Sequence, residues 1–385
     1  MTLTRIPCVY MRGGTSRGLV FSAADLPADR KDWDAIFLAA MGVPDPAGRN
    51  LDGMGGGLSS LNKVCVVGPP SRADADVDYT FAQCAVSEAR VDYAGNCGNM
   101  SSVVGPFAVE AGLVPLPSVL SLSKDEAAVR IHNTNTAKII IACFPVEGGA
   151  LAESGDLAID GVAGTAAPIR LEFLQPGGAK TGKLLPTGNA VDVLEGIEAS
   201  CIDAANPCVF VLAEAVGMTG NETPQELEAD PHFLTRMAAI REAGAALMGI
   251  AGSASVPLVA MVSSPLPFRG GAGGEGCPVD ATLTDSPHPN PSPEGEGLFD
   301  IQVRMVSMGQ PHRAVPITGA ICLALAARVP GTLPHRLCAA AQGPLRIAHP
   351  SGMTLVDAAL NAAGEADYGA VYRTARRLFE GAVVY

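Results

Sequence analysis

Two apolar helices, each closed by a proline, recur in the same setting in the two halves of the chain, and this recurrence restricts it to folds built twice over. The runs Phe81–Pro115 and Ile301–Pro330 share an order of strand, Gly/Asn/Pro turn, apolar helix and proline. Within them, Ser101–Leu113 and Thr318–Val329 are apolar almost all the way round, as expected of helices enclosed by other elements. Alignment on Pro115 and Pro330 sets Cys97 opposite His312. A second correspondence links Cys8–Pro27 with Cys201–Gly220, each reading strand, small-residue turn, strand. The expected fold class is therefore α/β (α+β), with two pseudo-symmetric units whose turns and helix starts wall a cleft.

The strands expected in the first half are Ile6–Met11, Gly18–Phe21, Lys63–Val67 and Thr80–Ala85, with one amphipathic stretch at Lys31–Met41. At 385 residues the chain is long enough for two cores. The division expected is 1–185, completed by 373–385, and 186–372. Between Pro265 and Gly297, glycine and proline recur throughout, a composition that buries too little apolar surface to repay ordering. We read that stretch, 265–297, as a surface insertion in the second half, so its Cys277 and His288 carry little functional weight.

Acidic residues outnumber basic ones 39 to 26, for a net charge of -13. The excess argues against nucleic acid or an anionic membrane as partner, since both select for basic stripes. A small anion is not excluded, because each charge is screened within roughly 8 Å at physiological salt. The ten cysteines are scattered singly without a CxxC motif, as expected of reduced thiols in a cytoplasmic protein. The N-terminal MTLTRIPCVYMRGG lacks the features of a signal peptide, and the most apolar windows are too short to span a bilayer.

Four turns combine glycine with polar residues: Arg12–Gly18, Asn96–Asn99, Pro186–Asn189 and Met308–His312. Glycine lets backbone amides approach a ligand, and a Gly-Asn pair at a helix start aims them at an anion. Asn96–Asn99 is favoured because it introduces a buried helix. Cys97 there is either an acid/base group or nucleophile favoured by the helix dipole, or one more inert thiol. Lys63 opens a strand after a Gly-rich segment and is either a surface residue with a buried stem or a desolvated base. His312 can anchor an anion or satisfy a core hydrogen bond. Neither metal-ligand spacing nor a GxGxxG or GxxxxGK[ST] motif is present, so no metal and no dinucleotide or nucleotide cofactor is expected.

At these residues the sequence resembles the PrpF family of methylaconitate isomerases, which includes 4-oxalomesaconate tautomerases and methylitaconate isomerases and shares the diaminopimelate-epimerase fold. The resemblance rests on TRIPCVYMRGGTSRG (4–18), NKVCVVG (62–68), VDYAGNCGNMSSVVGPFAVEAGLV (91–114), LLPTGNAVDV (184–193), CIDAANPCVFV (201–211), MGQPHRAVPITGA (308–320) and HPSG (349–352). It implies two domains, each a curved sheet around a central buried helix, with the active site between them. It also implies a cofactor-independent 1,3-allylic proton shift on an unsaturated branched tricarboxylate. The family's lysine falls on Lys63 and its cysteine on Cys97, at the family's separation. Substrate carboxylates would be held by Thr15, Ser16, Arg17, Asn96, Gly98 and Asn99 of one domain and by His312 and Ser351 of the other.

Two departures stand out. Arg17 replaces the lysine common in GGTSKG, and Leu258 stands where Val-Pro-Lys is common, removing a cation. His312 in place of a second cysteine disfavours two-thiol racemisation of an amino acid. Methylaconitate isomerisation and oxalomesaconate tautomerisation are not separated by the motifs. The alternative is a noncatalytic protein that binds a tricarboxylate or a dehydratase partner. A homodimer is a further expectation.

Overall fold

The structure, a computed structural model, describes residues 4–93, 96–115, 126–148, 150–152, 154–159, 161–252, 256–264, 299–307, 309–338 and 343–385. The Gly/Pro-rich stretch 265–297, with Cys277 and His288, lies outside the described residues, as does Met308.

In chain order the principal elements are β1 (Arg5–Gly13), β2 (Ser16–Ser22), α1 (Trp33–Met41), β3 (Lys63–Gly68), β4 (Val77–Cys84), α2 (Gly98–Glu110), β5 (Glu126–Asn133), β6 (Lys138–Glu147) and β7 (Ile169–Leu174). They continue with β8 (Ile197–Ala204), β9 (Asn206–Leu212), α3 (Pro231–Leu247), β10 (Leu258–Ser263), β11 (Ile301–Ser307), α4 (Ile317–Ala326), β12 (Leu345–His349) and β13 (Gly352–Leu360). The last strands are β14 (Ala366–Arg373) and β15 (Ala375–Val384). Two compact units result, Met1–Pro176 with Glu365–Tyr385, and Gly177–Gly364.

In the first unit β1 and β2 form a hairpin, β2 runs parallel to β3, β3 antiparallel to β4, and β4 parallel to β5. A β5–β6 hairpin, β7 and β14 extend the sheet on one side, and β15 pairs with β1 on the other. Both parallel steps require a crossover, supplied by α1 and α2. The sheet curves around α2, which touches β1, β2, β3, β5, β6 and β7. Every residue of α2 from Met100 to Val109 is accordingly buried.

Strand alternation separates two environments. Leu19, Phe21, Val64, Val66 and Ala82 pack against Trp33, Ile36 and Phe37 of α1. The intervening positions, Lys63, Cys65, Tyr79 and Phe81, belong to the α2 side, where Tyr79 reaches Ser101.

The second unit repeats this plan. A β8–β9 hairpin is followed by β10 parallel to β9, β11 antiparallel to β10, β12 parallel to β11, and β13 back along β12. Helix α4 is the enclosed helix, with Gly319–Ala326 all buried. Register makes the duplication residue-specific: Gly18 lies opposite Lys63 at the start of β3, and Cys208 opposite Leu258 at the start of β10. Leu258 is the second unit's counterpart of Lys63.

Several expectations shift. The units divide at Pro176/Gly177 and Gly364/Glu365 rather than at 185 and 372. Asp203 is the reason at the first boundary: its backbone bonds Gly178 and Leu184, and its carboxylate accepts from the Lys180 and Thr181 amides, so 177–184 belongs with β8. At the second, β14 pairs with β7 of the first unit. Helix α2 begins at Gly98 instead of Ser101, because the first amides of a helix need no intrahelical acceptor and tolerate a Gly-Asn start; Gly112, at φ +69°, follows its end. Helix α4 begins only after Pro316, so the counterpart of the N-cap Cys97 is Pro316 and not His312. Helix α3 is an element the apolar pattern did not disclose; Asp230 caps it, and Phe233, Met237 and Ile240 pack on the far face of the second sheet.

Asp203 is fully buried, and its Oδ2 accepts from two amides and from Thr181 Oγ1 at 2.7–2.8 Å. Asp203→Ala strands those donors and is expected to cost about 3 kcal/mol, read as a lower urea midpoint by circular dichroism.

Candidate active site

Lys63 owes its position to Gly18: a Cβ on Gly18 would lie 2.1 Å from the Lys63 carbonyl oxygen, so only glycine lets β2 and β3 meet there. The lysine is 9% exposed, which removes the surface-residue alternative. Its Nζ donates to Gln83 Oε1 at 2.8 Å and lies 5.2 Å from the centroid of the Phe81 ring. Gln83 is directly opposite Lys63 in the β3–β4 register. Its Nε2 donates to the carbonyls of Ser59, Asn62 and Cys84, which fixes the amide so that its oxygen faces the lysine. Among the described residues no carboxylate pairs with Lys63.

Cys97 is the N-cap residue of α2, extended at φ -110° and ψ 102°, and gives the helix no side-chain cap. The amides of the first turn are therefore directed outward as donors. Of the nine described cysteines Cys97 alone is not buried, which separates it from the inert thiols around it. Cys65 is within electrostatic reach of both candidates: burial pushes its thiol far up, Cys97 adds to the rise, and Lys63 opposes it. Lys63 and Cys97 thus both act electrostatically on one buried residue.

Two asparagines hold the helix start. Asn96 Oδ1 accepts from Ser101 Oγ at 3.3 Å and from Nδ2 of the fully buried Asn133 at 3.1 Å. Asn99 Nδ2 donates to Thr15 Oγ1 at 3.0 Å, and Asn99 Oδ1 accepts from Arg373 Nε at 3.1 Å. The Gly13–Gly14 turn sits directly on this first turn. A Cβ on Gly13 would be 2.5 Å from the Asn99 carbonyl, and one on Gly14 2.3 Å from Asn99 Oδ1.

Thr15, Asn96, Cys97, Gly98 and Asn99 are thus brought together. Ser16, 5% exposed, opens β2 opposite Gly13. Arg17 is placed elsewhere. Strand alternation turns it to the face it shares with Tyr10, and its guanidinium lies 5.7 Å from that ring. The cation on the α2 side is instead Arg373, at the end of β14. Sequence reasoning missed Arg373, Gln83 and Asn133, each of which joins the site through pairing with a distant strand or helix; the only local signal is a polar residue at the end of an apolar run.

The second unit carries its own cluster. His312 Nδ1 bonds the backbone of Ala314, leaving Nε2 unengaged among the described residues. The Ser351 hydroxyl donates to the Arg313 carbonyl, tying the HPSG turn to the His312 loop. The Pro186–Asn189 turn is satisfied internally, since Thr187 and Asn189 both donate to Asp192. Leu258, the position lacking the expected cation, is 3% exposed and packs beneath Gly319 of α4.

These features define a duplicated α/β architecture with a lysine and a cysteine at the mouth of one enclosed helix. A solved structure titled methylitaconate-delta-isomerase has the same architecture, with a TM-score of 0.86 at 37% identity, covering 100% of this chain and 96% of that one. The 3-methylitaconate isomerase of Eubacterium barkeri is 38% identical over 98% of this chain and 97% of its own length. The 4-oxalomesaconate tautomerase of Pseudomonas putida is 39% identical over 100% and 97%, and the 2-methyl-aconitate isomerase of Shewanella oneidensis 35% identical over 98% and 96%. The model of the family described as PrpF protein matches residues 3–287 and 291–385, and the chain belongs to that family. It is an isomerase of the PrpF type.

Gly13→Ala places a methyl group against the Asn99 carbonyl, which belongs to backbone and cannot yield cheaply. We expect about 1–3 kcal/mol lower stability by thermal denaturation and at least a tenfold loss in kcat/KM, because the first turn of α2 must shift.

Proposed function

We propose that the protein catalyses a 1,3-allylic proton shift on an unsaturated branched polycarboxylate, of the kind typified by 2-methylaconitate and 4-oxalomesaconate. The observation that carries this reading is the buried Lys63 amine, free of any described carboxylate partner, within electrostatic reach of the same thiol, Cys65, as the half-buried Cys97. In its neutral form Lys63 takes the allylic proton through Nζ; the C–H electron pair enters the conjugated system and the double bond moves by one carbon. The resulting dienolate carries its charge on carboxylate and enolate oxygens, for which the Gly98 and Asn99 amides and Thr15 are preorganised donors. Cys97 is the second acid/base group, and its thiol returns a proton to the far carbon of the three-carbon unit. Lys63 and Cys97 exchange protons with solvent between turnovers.

The relatives named above are isomerases and tautomerases of unsaturated di- and tricarboxylates, which supports turnover over the noncatalytic alternative. The nine free thiols among the described residues support a reducing, cytoplasmic setting. A homodimer is part of the same reading, supported by β15, which pairs with β1 along one edge and exposes Leu378 and Phe379.

In D2O the enzyme is expected to introduce deuterium at the allylic carbon of its substrate. Lys63→Met should abolish both this exchange, followed by proton NMR, and turnover, a loss of about 1,000-fold or more. Full activity in that variant would remove Lys63 from the mechanism. Cys97→Ser should lower kcat about 100-fold while leaving KM within a few fold, measured in an ultraviolet assay against methylaconitate, oxalomesaconate and methylitaconate.

A further inference from the structure

Arg373 ends β14, and its side chain runs along the Gly13–Gly14 turn toward the first turn of α2. Its Nε donates to Asn99 Oδ1 at 3.1 Å and its Nη1 to the Tyr372 carbonyl at 2.7 Å. Both acceptors are neutral, and among the described residues no carboxylate pairs with this guanidinium and none accepts from Nη2. Burial lowers its pKa to about 10, while the nearby Cys97 pulls it back up.

Several other arginines of the first unit are better matched, whereas Arg17, on the Tyr10 face, has a buried Nε without a partner among the described residues. Arg130 has Asp76 and Arg377 has Glu110, while Arg12, without an acid, gives Nη1 to the Gly14 carbonyl and to two oxygens of Thr374. A half-buried cation without an anion is unfavourable, and the arrangement persists when another molecule supplies the negative charge. Gly14 fits the same account. A Cβ there would lie 3.2 Å from Arg373 Cδ as well as 2.3 Å from Asn99 Oδ1, so glycine at 14 keeps open the path by which the arginine reaches the helix.

We propose that Arg373 binds one carboxylate of the substrate beside Cys97, its unused Nη2 edge acting together with the outward amides of the α2 terminus. This rests on the polycarboxylate-isomerase reading for the identity of the anion, but the cation is a property of the first unit alone. The bond from Nε to Asn99 fixes the guanidinium plane, and Asn99 in turn positions Thr15. The carboxylate is thereby held at a fixed distance from the thiol. A lysine cannot reproduce this, because an ammonium group lacks the fork that serves Asn99 and an anion at once.

The test is calorimetric titration of wild type, R373K and R373M with propane-1,2,3-tricarboxylate, a saturated probe that cannot isomerise, alongside its monomethyl esters. Thermal denaturation and circular dichroism establish that each variant is folded. Wild type is expected to bind the triacid at least 30-fold more tightly than one of the monoesters, R373M to lose that preference, and R373K to retain it in part. A purely structural role for Arg373 would weaken triacid and esters alike and leave the ratio unchanged, which would overturn the proposal. Failure of wild type to bind the triacid would overturn it as well. Deuterium exchange separates the two readings: Arg373-dependent binding without exchange by wild type leaves the cation site standing and removes the isomerase reading, whereas exchange with an unchanged ratio in R373M does the reverse.

Discussion

The close approach of one hairpin turn to one helix terminus governs the geometry of the first unit. Gly13 and Gly14 lie so near Asn99 that neither position has room for a methyl group, and through this contact the β1–β2 turn is packed directly on the start of α2. Everything chemical is referred to that contact. Lys63 is placed by the parallel pairing of β2 with β3, Cys97 by the start of α2, and Arg373 by the strand that continues from Thr374 into β15 alongside β1. A sheet wrapped around a single buried helix holds groups at that helix's mouth in fixed register.

Duplication supplied the scaffold, and divergence restricted the chemistry. The register equates Lys63 with Leu258, and the helix starts equate Cys97 with Pro316. Both counterparts in the second unit lack a titratable group, and Leu258 has become core beneath α4. The second unit has His312 and Ser351, the latter tied to the Arg313 carbonyl, and no lysine or cysteine at the positions equivalent to Lys63 and Cys97. Two copies of one fold therefore present different chemical faces, one carrying a lysine and a cysteine and the other a histidine and a serine.

Much of this was legible in the chain itself. The recurring apolar helices disclosed the duplication because enclosure removes amphipathicity, a property of the local sequence. The Gly-rich turns and the Lys63 and Cys97 positions were legible because each places unusual residue types at the end of a strand or the start of a helix. The face taken by Arg17, which it shares with Tyr10, was not legible, because the face of a strand-end residue depends on where the strand begins. Arg373 was invisible because its importance arises from the pairing of Ile169 with Arg373 and from contact with Asn99, far away in the chain. Helix α3 escaped because its alanines and charges mask a narrow apolar stripe. The boundary near 177 depended on one buried carboxylate, Asp203, whose partners Lys180 and Thr181 precede the whole of β8.

The first unit is discontinuous in sequence, and this bears on synthesis. Strands β14 and β15 complete its sheet, yet the whole of Gly177–Gly364 is translated before they emerge. At 5–20 residues per second that is an interval of about 10–40 s during which β1 and β7 each have an open edge and α2 is only partly enclosed. The second unit is contiguous and has all of its strands before the first can close. Order of assembly is therefore built into the connectivity: the later unit can fold while the earlier one waits, and the guanidinium beside Cys97 is among the last parts of the site to arrive. An enzyme of this design acquires its chemistry only when the C-terminal strands have docked, so a chain interrupted before residue 366 carries the lysine and the cysteine without the sheet that orients them.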